Sequence, residues 1–141
     1  MYKDTDKLLA ELNNIASLDD FYKKHAQELN FPNAIDYLMQ RAATRKLTKA
    51  DLIRKTGLDR SYAYHILAGK KKLTRDKLLT FALAAGLTLT ETQKALKYAG
   101  ERHLYARDKR DWILIYALHQ HLSVIDTNEL LTHFKLTMLN E

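Results

Sequence analysis

A chain of 141 residues with 46% hydrophobic content is long enough to bury one real core and too short for several. It contains no cysteine, which excludes disulfides and thiolate metal sites, and its longest uncharged apolar run, residues 112–118, is far too short to cross a bilayer. The net charge of +6 is unevenly spread: residues 1–44 carry a net −2, residues 45–77 hold 11 basic against 3 acidic side chains, and residues 78–141 balance to zero.

Taken in order, the first segment reads as helix. Leu8, Leu9, Leu12 and Ile15 share a face behind Asp4 or Thr5 as cap. Ser17 and Asp20 resemble a capping box for a second helix with Phe21, Tyr22, Ala26 and Leu29 on its buried side, and Pro32, the only proline, breaks the run. The opening MYKDTDK has no apolar stretch of the kind a secretory leader needs, so a cytoplasmic protein is expected. Residues 1–32 thus form an N-terminal helical arm, which either packs on the rest of the chain or mediates self-association.

Asn33 and Asp36 open the next helix, with Ile35, Leu38, Met39 and Ala42 inside. Thr48 caps a short helix carrying Leu52 and Ile53, Gly57 ends it, and Leu58 fills the corner. Asp59 then caps a helix of about three turns that Gly69 stops. Thr74 starts a fourth helix with Leu78, Leu79, Phe81, Ala82 and Leu83, closed by Gly86. Thr88 with Glu91 is a capping box for a fifth, which ends at Gly100. All four glycines lie just past predicted helix ends, so none is left for a phosphate-cradling loop.

The stretch 47–73 resembles the helix-turn-helix of the Xre/Cro, phage-repressor-like regulators. The resemblance rests on Leu47-Thr48, Leu52, Gly57-Leu58, Arg60-Ser61, Ile66 and Gly69 followed by three lysines, with Leu78 in the next helix. It spans about residues 34–100. Ile53 stands where the family commonly has a small residue and Ala63 where it has Val or Ile. The two positions face each other in that fold, so the exchange conserves volume. Leu67 and Ala68 also replace polar residues often found before the glycine. The resemblance implies a five-helix repressor-like core over residues 33–100; with the arm at 1–32 and a helical hairpin read from the capped amphipathic pattern of 101–141, the expected chain is all-α.

The hairpin carries a weak internal repeat. Arg75-Asp76-Lys77 recurs as Arg107-Asp108-Lys109. After a three-residue insertion, Phe81-Ala82-Leu83 aligns with Tyr116-Ala117-Leu118, Leu87 with Leu122, Thr88 and Glu91 with Ser123 and Asp126, Thr92 with Thr127, and Leu96 with Leu131. On this alignment the first helix of the hairpin is one turn longer than its counterpart. The pattern is either a duplication or a chance likeness of capped amphipathic helices. The helices opening at Thr88 and Ser123 also fit a loose helix-turn-helix template, but Glu91 and Asp126 make them acidic at the end a phosphate-rich groove would meet. Arg60 opens the first motif's helix instead.

Chemistry for catalysis is sparse. Among six histidines no i,i+4 pair exists, and His119 and His121 point to different sides of a helix. Asp108 and Asp111 read as the charged start of a helix. No enzyme, metal or cofactor is expected. If Ala63, Ile66 and Leu67 point inward, Arg60, Ser61, Tyr64 and His65 point out, with Tyr62 at the side. Arg60 can donate two hydrogen bonds to guanine O6 and N7, and Ser61, Tyr62, Tyr64 and His65 complete the base-reading set, although either tyrosine could instead lean back on the protein. Lys49, Lys70, Lys71, Lys72 and Arg75 flank this helix as phosphate contacts, where the family clamps the backbone.

The expectation is a sequence-specific regulator that binds double-stranded DNA as a homodimer, with Trp112, Ile113, Ile115 and Tyr116 of the hairpin supplying part of the dimer surface. The alternative is an interaction adaptor or antitoxin-like module, with another protein as partner, that uses the helices only as scaffold. The confinement of basic charge to residues 45–77 favours the regulator.

Overall fold

The computed structural model describes residues 33–140, so the expected arm and its helices lie outside the described residues. Asn33–Glu141 forms a unit separate from Met1–Pro32. The described residues are all-α, with seven helices and no strand: α1 (Ala34–Thr44), α2 (Lys49–Thr56), α3 (Arg60–Leu67), α4 (Arg75–Ala85), α5 (Leu89–Tyr98), α6 (Lys109–His119) and α7 (Val124–His133). Among the described residues no helix is long and apolar enough to cross a membrane.

Local chemistry sets every boundary. Asn33, Thr48, Asp59, Thr74, Thr88, Asp108 and Ser123 each accept a hydrogen bond from a first-turn N–H of the helix that follows. At Thr48 and Thr88 the bond is reciprocated by Asp51 and Glu91. Three helices end on a left-handed residue that is not glycine, namely Lys46, His121 and Lys135. Each is followed by a leucine whose N–H reaches back to the helix: Leu47 to Ala42, Leu122 to Ala117 and Leu136 to Leu131.

The core is built on α4, in which every residue from Leu78 to Ala85 is buried. Apolar side chains all round a helix mean protein all round it. α1, α2, α5 and α7 all pack against α4, and α5 also meets α6. Over α5, Arg41 of α1 and Arg45 just past its end hold the Glu91 carboxylate at 3.2 and 3.3 Å, and Tyr37 meets Tyr98 edge-on with centroids 5.2 Å apart. Burial pushes the Glu91 carboxyl up. Hydrogen bonds from Arg45 and the Thr88 N–H, the Arg45 charge and the Arg41 bond outweigh burial and hold it at about 2, against 4.5 ordinarily.

The repeat is present, but its register differs from the one that the tripeptide likeness suggests. α4 and α6 are both 11 residues long, so there is no insertion and no extra turn. The spacing is a constant 35 residues, which matches Arg75-Asp76 with Arg110-Asp111. Arg75 grips both Asp111 carboxylate oxygens at 3.0 Å and donates to the carbonyls of Arg102 and His103. Arg110 grips both Asp76 oxygens at 2.9 and 3.0 Å and donates to the carbonyls of Thr137 and Met138. These positions are related throughout by the same spacing. Gln93 clamps the Leu104 N–H at 2.8 Å, and Asn128 holds the Leu139 N–H at 2.8 Å. Buried Thr92 and Thr127 each donate to the carbonyl of their helix cap at 2.8 Å. Each unit's arginine binds the other unit's aspartate, so the two units, α4–α5 and α6–α7, are related by a local two-fold exchange.

Candidate nucleic-acid interface

α2 and α3 are joined by Gly57, Leu58 and Asp59. The Thr56 hydroxyl donates to the Ile53 carbonyl and accepts the Leu58 N–H at 3.2 Å, closing α2, while Gly57 takes the positive φ of 71° that reverses the chain. The Asp59 carboxylate accepts the Tyr62 N–H at 3.0 Å and starts α3. Ile53 and Ala63 are both buried.

On α3, Ala63, Ile66 and Leu67 face the core. Arg60, Ser61 and His65 are exposed, whereas Tyr62 and Tyr64 are half-buried. The Tyr64 ring draws two cations together: Lys49 Nζ lies 5.5 Å and Arg60 Cζ 5.7 Å from its centroid. Lys77 Nζ sits 5.8 Å from the Tyr62 ring. Both tyrosines thus lean on the protein and steady basic side chains. A cavity of about 450 Å³ opens between α2 and α3, bounded by Ile53, Gly57, Leu58 and Tyr64, with Arg54 and Arg60 among its lining residues.

α3 closes on Gly69, whose φ of 79° lets the Lys70 and Lys71 N–H groups turn back to the His65 carbonyl at 2.8 and 3.2 Å. Lys70, Lys71 and Lys72 follow, all exposed. Arg75 does not join them. Its side chain is 14% exposed and its guanidinium is filled by Asp111 and two carbonyls, so it is removed from the phosphate-contact set. Of the 11 basic residues in 45–77, Arg45, Arg54 and Arg75 are ion-paired, with Glu91, Asp51 and Asp111. Lys46, Lys49, Lys55, Arg60, Lys70, Lys71, Lys72 and Lys77 have no ion pair among the described residues.

Sequence reading missed Lys77 and Arg54 as members of this surface. Lys77 falls in the first turn of α4 and reaches Tyr62 only through the tertiary fold. Arg54 enters only because the turn at Gly57 brings α2 and α3 together. The rival segment at Thr88 is engaged elsewhere, since Glu91 is held by Arg41 and Arg45. No family model, curated protein or solved structure matches this chain.

Proposed function

We propose that the chain is a sequence-specific double-stranded DNA-binding regulator of the Xre/Cro type, reading the major groove with α3. In this reading α1 to α5 are the five-helix repressor-like core and α2 and α3 are its helix-turn-helix. The observation that carries it is the gathering of Lys49 and Arg60 on Tyr64 at the open end of α3, beside exposed Ser61 and His65. An exposed guanidinium in the first turn of such a helix can pair both guanine O6 and N7, and short polar side chains beside it can bond neighbouring base edges. Lys49, Lys70, Lys71 and Lys72 flank it as phosphate contacts, with Lys77 in reserve on Tyr62. Tyr62 and Tyr64 position these cations more than they read bases.

Selection of bound sequences from a random duplex library, at fixed salt, tests the proposal. A consensus that is lost on Arg60→Ala supports it. Enrichment of no sequence, with binding that disappears at about 0.2 M salt, would leave only backbone attraction and overturn sequence-specific reading.

A further inference from the structure

The two units offer the same face twice, covered in one and, among the described residues, open in the other. In the first, α1 lies over α5: Arg41 and Arg45 neutralise Glu91, and Tyr37 packs on Tyr98. The equivalent α7 positions are Asp126 and His133. Both are exposed, and neither has an ion pair among the described residues. Phe81, fully buried in the first unit, corresponds to Tyr116, 50% exposed, and Lys77 corresponds to Trp112, 56% exposed. Ala99 is matched by the larger Phe134, again exposed. Apolar bulk has been enlarged on the side that has no cover among the described residues, the reverse of what a solvent-facing surface requires.

This face is a groove of about 220 Å³ between Trp112, Tyr116, Leu130 and Phe134, continuing past Tyr116 to Asp126 and Glu129. Its ends carry opposite charge. Lys109 lies one turn before Trp112, and Lys135 follows Phe134; the bond from Arg110 to the Thr137 carbonyl at 2.9 Å keeps these segments close. Asp126 and Glu129 lie at the other end.

We propose that this face is the seat of a second copy of the chain, paired about a two-fold axis near Tyr116. An isologous contact demands a self-complementary surface. Rotating one copy by half a turn sets Lys109 and Lys135 against the partner's Asp126 and Glu129, while Trp112 and Tyr116 meet at the centre. The partner's lysines then do for Asp126 what Arg41 and Arg45 do for Glu91. Trp and Tyr at the centre of a contact, with charges at its rim, is the usual distribution of binding energy in interfaces. The inference draws on α6 and α7 only and does not depend on what α3 binds.

Sedimentation equilibrium of the full chain over a wide concentration range tests it, with Trp112 fluorescence as a second readout. The wild type should be a dimer whose Trp112 emission shifts to the blue as it forms. Tyr116→Glu should weaken association by about thirtyfold or more while leaving the helical circular dichroism intact. Lys109→Glu and Glu129→Lys should each weaken it, and an equimolar mixture of these two single variants should form heterodimers. A monomeric wild type at every concentration would overturn the proposal. So would a dimer that Tyr116→Glu leaves intact, or a mixture that associates no better than its components.

Discussion

Arg75 and Arg110 occupy the same place in two related units, yet their surroundings differ. Asp111 is 1% exposed, whereas the Asp76 side chain is 31% exposed. Removing a buried carboxylate strands the cation that faced it, so Asp111→Ala should cost about 3–5 kcal/mol. Asp76→Ala, at a pair that water reaches, should cost about 1 kcal/mol or less. Urea unfolding of both variants checks the contrast, and equal losses would mean that burial does not set the strength of these pairs. The same distinction explains why Arg75 was misread in the sequence. Charge density along a chain cannot tell a cation facing solvent from one matched by a carboxylate 36 positions away. Arg60 and Lys71 face outward, so for them the two roles separate by experiment. If α3 reads DNA, Arg60→Ala should cost about 1–3 kcal/mol on the preferred duplex and relax one base pair. Lys71→Ala should weaken matched and scrambled duplexes alike and make the salt slope shallower by about one.

Among the elements, α1 and α5 are joined by the Glu91 carboxylate, which gives the fold a defined acid sensitivity. Its folded pKa of about 2 lies below the ordinary 4.5. The stability it confers is therefore complete above 4.5 and is lost as pH falls towards 2. Discounting for solvent around the two arginines, that contribution is about 2 kcal/mol. Glu91→Gln should be destabilised by this amount near neutrality and should converge with the wild type in strong acid; a gap that stays constant with pH would rule the carboxylate out. Element starts were legible in the sequence because a cap is a local device: Thr48, Asp59, Thr74, Thr88 and Ser123 each act within three residues. Ends were legible only where glycine marks them. Lys46, His121 and Lys135 take the same left-handed turn without announcing it, because the leucine that secures each turn also reads as ordinary core.

At the scale of the molecule, the hairpin after residue 100 is less separable than a sequence boundary suggests. α7 packs on α4 and α6 on α5, Leu104 is clamped by Gln93, and Arg75 has its carboxylate on α6. A chain ending at Gly100 should therefore lose its cooperative thermal transition, because one side of α4 would face water and Arg75 would lack Asp111. A sharp, fully helical melt of that fragment would show that the first five helices suffice. The true register of the repeat was hidden for a related reason. Two copies of Arg-Asp-Lys align by identity, whereas the reciprocal bonds follow Arg75-Asp76 and Arg110-Asp111, and reciprocity is visible only when both units are seen in space. The site was legible to the extent that exposure follows helical phase, which placed Arg60, Ser61 and His65 correctly on the outside. Which cation rests on which ring was not, since that is decided by contacts between helices.

One consequence concerns the three lysines between α3 and α4. The backbone of this loop is tied at its start by the Schellman closure on the His65 carbonyl, and just beyond its end by Arg75 locked to Asp111. Ordering a free loop costs about 1–2 kcal/mol per residue. Here that loss falls at folding. If the loop binds a polyanion as proposed, Lys70, Lys71 and Lys72 have only their side chains to settle, so capture should be fast and close to rigid-body. In that case loosening the tether by Arg75→Ala should slow productive encounter, although the Arg75 guanidinium is itself taken up by Asp111.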